Sequence, residues 1–152
     1  MGNQQLLLLV LATVVVGLAT VAGIKAFDDN RRQLDRDSRR QVAVRILTDF
    51  KAQFNKPSEL GGISFYQGEP GYWDKDKNIH EVLNQMGYDT ITKDGRPSVP
   101  VGDTGGWCQI YVDSERTNAD NRVTALCKDR SGEFDGRVNG VYYAGRNEIE
   151  FW

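Results

Sequence analysis

The residues best suited to chemistry form a short polar run near the middle of the chain. Asp74, Asp76 and Asn78 alternate like the first ligands of a calcium-binding loop. The pattern fails at its two most demanding positions, because Ile79 stands where the loop needs glycine and Gln85 where it needs glutamate. We therefore predict no specific metal site in this run.

The composition excludes several other kinds of site. The chain has 152 residues with 1 histidine, His80, and 2 cysteines, too few for a zinc site of the usual kind. It has no His-Glu-x-x-His, Gly-x-Ser-x-Gly or phosphate-loop motif. The net charge of -2 lacks the basic excess typical of nucleic-acid binding. We predict no catalytic residue, no cofactor, no metal and no specific nucleic-acid partner, so the chain is not expected to be an enzyme.

The apolar residues are concentrated near the start of the chain. Leu6–Ile24 is a run of 19 residues without a charge, and 12 of them are Leu, Val or Ile. A run of this length is a candidate membrane span, and the aliphatic residues favour insertion by about 5 kcal/mol. We predict that residues 1–27 form an apolar helix suited to a membrane or to the core of a filament.

Two other interpretations of this run are weaker. A buried core helix would need more chain around it than the residues after Pro57 provide. A secretory signal would have a basic residue before the run and a small-residue cleavage site after it, and the sequence shows neither.

Residues 28–56 continue the helical pattern but change in character. They hold 8 basic and 5 acidic residues and no proline or glycine. Apolar residues recur at spacings of three and four, which indicates one buried stripe on a solvated helix. The stripe is Ala43, Ile46, Leu47, Phe50 and Phe54. We predict a single helix over about residues 4–55, apolar first and amphipathic after, with a length of about 75 Å.

The residues after Lys56 predict a separate acidic head. Residues 57–152 have a net charge of -6, against +4 for residues 1–56. An αβ-loop is predicted at 57–77, a short helix at 78–86 and a further loop at 93–106. Runs of aromatic and β-branched residues predict three or four antiparallel strands: Trp107–Val112, Arg122–Lys128, Val138–Tyr143 and Asn147–Phe151. The predicted fold class is α+β, with the amphipathic part of the long N-terminal helix packed on this small sheet.

The two cysteines fall on neighbouring predicted strands. A disulfide between Cys108 and Cys127 would stabilise the head by about 3 kcal/mol through loop-closure entropy. A head outside the cytoplasm favours pairing, and two reduced core cysteines are the alternative. The spacing is not Cys-x-x-Cys, so no redox catalysis is predicted.

In these features the chain resembles the type IV pilins and the related pseudopilins. The likeness covers the whole chain in architecture and Met1–Phe54 in sequence, where an apolar helix becomes amphipathic. Cys127–Gly132 also looks like the Cys-x-Asp turn of many pilin-like heads. The chain departs from the family at Gln5, where mature pilins carry glutamate, and in showing no short basic leader. It is expected to be either an already processed chain or a divergent branch without a leader.

The resemblance implies assembly through the start of the helix. In the family, the glutamate pairs with the amino terminus of a neighbouring subunit, whereas Gln5 can only form a hydrogen bond there. Asn3, Gln4 and Gln5 supply three amides, each worth about 0.6–2 kcal/mol between helices in an apolar core. We expect these amides to set the axial register between subunits. A polar membrane flank is the alternative.

Two sets of residues complete the predicted assembly surface. Small residues allow helices to approach closely. With the polar start they form the predicted filament core: Met1, Asn3, Gln4, Gln5, Ala12, Gly17, Ala19 and Gly23. The charges that follow are expected to interlock between subunits, or alternatively to form a solvated juxtamembrane face. They are Arg31, Arg32, Asp35, Arg36, Arg39 and Arg40.

The expected function is that of a structural subunit of an extracellular type IV pilus-like filament, of the kind used in adhesion or motility. It would begin as an inner-membrane precursor, and its partners would be copies of itself, the membrane before assembly and an assembly machinery. The alternatives are a minor pseudopilin of a secretion or DNA-uptake machine and a non-polymerising single-pass membrane protein with a ligand-binding head. The cluster Arg31–Arg45 points against an outside head, because the positive-inside rule would place it in the cytoplasm.

Overall fold

A computed structural model describes residues 2–64, 79–102, 105–113, 121–131 and 138–152. One helix of 54 residues, α1, spans Gly2–Asn55. The chain divides into two compact units, residues 1–35 and 36–152, and α1 contributes residues to both. This boundary falls inside the segment predicted as the charged continuation of the helix.

The second unit contains a helix, α2, and one antiparallel sheet. A single turn of 3-10 helix at Ser58–Leu60 follows α1, and α2 spans Ile79–Gln85. The strands are β1 (Ile91–Lys93), β2 (Arg96–Val101), β3 (Gly106–Asp113), β4 (Arg122–Lys128), β5 (Val138–Tyr143) and β6 (Glu148–Phe151). Each strand pairs antiparallel with the next in the chain, so the sheet order is β1-β2-β3-β4-β5-β6. The predicted α+β class, a long helix with a small antiparallel sheet, is confirmed.

The sequence explains where α1 ends. The helix runs to Asn55, and Lys56 is followed by Pro57, which disfavours helical backbone at the residue before it. Gly17 and Gly23 do not interrupt the helix, although each costs about 1 kcal/mol relative to alanine. The prediction of one helix over residues 4–55 is confirmed.

The amphipathic stripe of α1 packs on the sheet as predicted. Ala43, Ile46, Leu47 and Phe50 have no solvent-exposed surface and belong to the same buried cluster as the core-facing strand residues. These residues recur every three or four positions, so they lie on one face of the helix. The head core is therefore built between the second half of α1 and one face of the sheet.

Strand register determines which sheet residues enter this core. Cys108 lies opposite Cys127 and Ile110 opposite Ala125 across the β3–β4 ladder, and all four are buried. Because side chains alternate between the two faces of a strand, the residues between them face away from α1.

Gly140 lets the helix approach the sheet closely. Gly140 is on β5 and lies opposite Ala125 of β4. A Cβ atom added there would lie 2.5 Å from Leu47 Cδ1 and 2.5 Å from Phe151 Cε1. Any larger residue would therefore have to displace the Leu47 or Phe151 side chain, which explains a glycine inside a strand.

The predicted number of strands was too low. The segment 93–106 was predicted to be a loop, but Arg96–Val101 forms β2 and Ile91–Lys93 forms β1. Pro97 and Pro100 hid the strand, because proline usually argues against one. Pro100 is accommodated because β1 is so short that only Arg96–Ser98 pairs with it.

The cysteine pairing is confirmed. Cys108 and Cys127 form a disulfide with a sequence separation of 19 residues, and both are buried.

Replacing both cysteines by alanine is expected to lower the free energy of unfolding of the head by about 3 kcal/mol, because the cross-link no longer restricts the unfolded chain. Denaturant titration of the full chain in detergent measures this loss. Reductant should destabilise the native protein by a similar amount and leave the double variant unchanged. Equal stability of the two proteins would contradict the expectation.

Candidate assembly surface

The apolar half of α1 is a continuous exposed surface. Between Leu6 and Ile24 every residue except Gly23 is exposed. The large aliphatic side chains of this run keep 51% to 68% of their surface accessible. By length and composition, α1 is able to cross a membrane. A monomeric soluble protein rarely exposes an apolar surface of this extent, so this surface calls for a membrane or for other protein.

The predicted core residues lie on this surface. Asn3, Gln4 and Gln5 are helical and exposed, and Met1 lies outside the described residues. Ala12, Gly17 and Ala19 are exposed, and a Cβ added at Gly17 or Gly23 would meet nothing within 4 Å. The small residues are therefore accessible to a close neighbour. Their role in assembly stays a prediction.

The predicted charge contacts differ in exposure. Arg31, Arg32, Arg36 and Arg40 are exposed and Asp35 is half-buried. Arg39 is only 5% exposed, so its side chain suits an inter-subunit contact least. The inter-subunit role of the exposed charges stays a prediction.

Arg39 instead belongs to the head. Its carbonyl oxygen lies 3.6 Å from Cys127 Sγ, and its Cδ would lie 3.5 Å from a Cβ added at Gly106. Its Nε atom is buried and has no hydrogen-bond partner in the described part of the chain. The arginine side chain therefore passes between α1 and the start of β3, where the sheet has no side chain at Gly106. The sequence pattern gave no sign of this burial, because Arg39 is surrounded by other charges.

The exposed side of α1 within the head carries a shallow open groove of about 420 Å³. Its lining residues recur along one helix face and combine charge with a partly exposed apolar side chain: Asp37, Arg40, Gln41, Val44 and Arg45. The groove is polar at its edges and apolar at Val44.

A side-chain network next to this groove ties α1 to the segment after α2. The Tyr88 hydroxyl donates a hydrogen bond to Asp49, and the Arg45 guanidinium lies 5.6 Å from the centre of the Tyr88 ring. Burial, and then the hydrogen bond to Asp49, raise the pKa of Tyr88 well above its usual range, while Arg45 opposes the shift. Tyr88 is therefore held in its neutral form.

The raised pKa of Tyr88 predicts a loss of stability at high pH. The unfolded chain releases the tyrosine proton near pH 10, whereas the folded chain retains it. The stabilisation is thus fully present below about pH 10 and is lost as the pH rises above that value. Between about pH 10 and pH 12, the free energy of unfolding should fall more steeply for the native chain than for Tyr88→Phe. If the free energy of unfolding falls equally with pH for the two proteins, the prediction is wrong.

The outer face of the sheet, away from α1, carries a second polar cluster near β1. The Lys93 ammonium lies 5.2 Å from the centre of the Trp107 ring. Lys128 pairs with Asp94 at 3.0 Å, and this contact lowers the pKa of the Asp94 carboxyl. The contact with Trp107 draws the Lys93 ammonium from β1 across β2 towards the Trp107 ring of β3. Sequence reasoning missed it because β1 and β2 were not predicted.

Of the residues considered for metal binding, His80 alone lies in the described part of the chain. His80 Nδ1 lies 3.0 Å from Thr90 Oγ1 and Nε2 lies 3.4 Å from Thr92 Oγ1. Asp74, Asp76 and Asn78 lie outside the described residues. No group of three His, Cys, Asp or Glu side chains placed to hold a metal occurs among the described residues.

A scan against protein-family models, a search of curated proteins and a search of solved structures find no match for this chain. The structure itself has a long N-terminal helix, apolar in its first half, and an antiparallel sheet with a disulfide. The chain therefore has a pilin-like architecture.

Proposed function

We propose that the chain is a structural subunit of an extracellular type IV pilus-like filament, assembled by bundling the apolar halves of α1 from many copies. The observation that carries the proposal is the exposure of Leu6–Ile24 in a helix whose other half supplies the head core. A helix that is apolar on all sides is stable only when every side is covered.

The same surface suits two successive environments. In the precursor, the lipid of the inner membrane covers it, with an insertion free energy of about 5 kcal/mol in favour. Outside the membrane, only other apolar helices provide equivalent cover. Small residues such as Ala12 and Ala19 allow such helices to pack closely. Copies of the chain, the membrane and an assembly machinery are thus the proposed partners.

The polar start of the helix would set the register of the bundle. Asn3, Gln4 and Gln5 are exposed amides next to an apolar surface. An amide avoids the cost of burying a charge and still forms hydrogen bonds between helices. These residues would favour one axial offset between neighbours over others.

The disulfide supports a head outside the cytoplasm. Cys108–Cys127 is buried in the head core, and disulfides persist chiefly in oxidising compartments. A precursor in the inner membrane, followed by a filament at the cell surface, is the proposed route.

A single-pass membrane protein that does not polymerise is the second candidate. It is favoured by the fact that α1 meets the length and composition of a membrane span by itself. In that case lipid covers Leu6–Ile24 permanently, and the charges after it form a juxtamembrane face. A minor pseudopilin would share the filament architecture but would not form long filaments alone.

Thiol protection in filaments distinguishes these candidates. The native cysteines are paired, so Val15→Cys and Leu34→Cys each add one free thiol to α1, inside and outside the apolar run. In material sheared from cells and free of detergent, we expect Cys at position 15 to resist a water-soluble maleimide and Cys at position 34 to react. Denaturation should expose both. If the chain stays in the membrane pellet and is missing from the sheared material, the filament proposal is wrong.

A further inference from the structure

The sheet of the head has two edges that differ in charge. In the described part of the chain, β1 pairs only with β2 and β6 pairs only with β5. Lys93 is exposed on β1, with its ammonium 5.2 Å from the centre of the Trp107 ring. Glu148 and Glu150 are exposed on β6, and their carboxylates lie 3.7 and 3.3 Å from Arg146 Nη1 of the same chain. A strand at the edge of a sheet presents backbone groups that another strand is able to pair with.

The hydrogen bonds of β6 show which of its residues face outwards. Asn139 and Trp152 exchange two backbone hydrogen bonds, of 3.0 and 3.2 Å. Bonded and non-bonded pairs alternate along an antiparallel ladder. With the observed register, Glu150 is therefore bonded to β5, while the N–H and C=O groups of Ile149 and Phe151 point away from the sheet.

The same reasoning applies to β1. Asp94 and Gly95, with φ of 52° and 71°, form the two-residue turn of a tight hairpin. Such a turn closes on a hydrogen-bonded pair, here Lys93 with Arg96. The next pair, Thr92 with Pro97, is then not bonded, which suits a proline without an N–H group. The backbone groups of Thr92 therefore point away from the sheet.

The two edges also match in direction and face. The sheet has six strands in sequential antiparallel order, so β1 and β6 run in opposite directions. A second copy placed in continuation of the sheet would therefore set its β6 antiparallel to β1. Thr92, Ile149 and Phe151 all belong to the core face by alternation, whereas Lys93 and Glu150 belong to the outer face.

We propose that neighbouring heads join edge to edge, with β1 of one copy paired antiparallel to β6 of the next. Thr92 would be the hydrogen-bonded partner of Phe151 of the next copy. This register sets Lys93 opposite Glu150 of the next copy and Ile91 opposite Trp152, whose side chain is 60% exposed. Opposite charges and an apolar pair directly across a ladder stabilise it.

This contact joins the β1 edge of one copy to the β6 edge of another. A pair of copies therefore still has one open β1 edge and one open β6 edge. Head-to-tail contacts of this kind generate rings or open helical filaments. The inference rests on the proposed filament and specifies how its outer layer is held. The β-sheets of neighbouring heads would then join into one sheet that continues along the filament.

Engineered cysteines test the register directly. In the full chain, Lys93→Cys combined with Glu150→Cys should give a ladder of disulfide-linked oligomers when filaments are oxidised. A link within one chain is excluded by distance, because five strand spacings separate the two positions by about 24 Å. Lys93→Cys combined with Thr124→Cys is the matched control, since Thr124 lies on β4 in the middle of the sheet. It should give no ladder.

Charge exchange provides a second test. Lys93→Glu or Glu150→Lys alone should raise the concentration needed for filament formation about fivefold, because like charges then face each other. The two substitutions together should restore it to within about twofold. Circular dichroism checks that each variant keeps the native fold.

The outcomes separate this inference from the proposed function. Native filaments without a cysteine ladder, or without rescue by the double exchange, would overturn the edge-to-edge contact and leave the filament intact. A native chain that forms no filament overturns both. A ladder of equal strength in the Thr124→Cys control would also count against the stated register.

Discussion

Replacing Val15 by arginine is expected to abolish filaments while leaving the chain in the membrane. Val15 lies near the middle of the apolar run and is 57% exposed. An arginine at the centre of a membrane helix costs about 3 kcal/mol, less than the run of 12 aliphatic residues contributes, so insertion remains favourable. In a bundle, however, every copy would bring the same charge into the apolar core. Filament yield in sheared material, counted by electron microscopy, measures the effect.

A matched control is available on the same helix. Leu34 is 68% exposed but lies among charged residues outside the run. Leu34→Arg should leave filament yield within about twofold of the native chain, since surface substitutions of this kind change stability by about 0.5 kcal/mol or less. Equal yields from Val15→Arg and the native chain would show that the apolar half is not in the core.

Replacing Phe50 by alanine is expected to cause the largest loss of head stability. Phe50 has no exposed surface and its ring stacks on Phe54 at a centroid distance of 6.4 Å. Phe54 in turn stacks on Tyr142 of β5 at 5.8 Å. Removing the ring leaves a cavity between α1 and the sheet, which typically costs about 3–5 kcal/mol. Denaturant titration of the full chain in detergent, followed by near-ultraviolet circular dichroism, measures the loss.

Val44→Ala is the control for this substitution. Val44 lies on the same helix but is 39% exposed and faces the groove rather than the sheet. Its replacement is expected to lower the free energy of unfolding by no more than about 1 kcal/mol. Similar losses for the two variants would mean that the stripe of α1 does not hold the head together.

The strong periodic signals in the sequence predicted most of the fold. The stripe of Ala43, Ile46, Leu47, Phe50 and Phe54 was predicted from spacing along the helix alone. The structure buries the first four and leaves Phe54 half-buried against the core. The last four strands are rich in aromatic and β-branched residues, and each overlaps its predicted run. Local pattern suffices for β3, β4 and β5 because each turns buried residues towards the core, and β6 is half-buried beside them.

The features that the sequence did not reveal depend on tertiary context. β2 contains two prolines: Pro97 lies opposite Thr92 at a pair that needs no hydrogen bond, and Pro100 lies beyond the end of β1. Arg39 is buried because Gly106 leaves space across the core. Neither relation is visible from neighbours along the chain.

The assembly surface was only partly predictable. The apolar run follows from composition, because no head of this size is able to cover it. The contact between heads was not predicted, since it depends on the number of strands, on their register and on which edge carries Lys93 or Glu150. These are properties of the complete sheet.

Electron microscopy with helical reconstruction of material sheared from cells, with the chain identified by mass spectrometry, tests the central claim most directly. The proposed function predicts thin filaments built chiefly from this chain, with Leu6–Ile24 of many copies bundled along the axis and the heads outside. Recovery of the chain only in the washed membrane pellet, with no filaments in the sheared material, would contradict it.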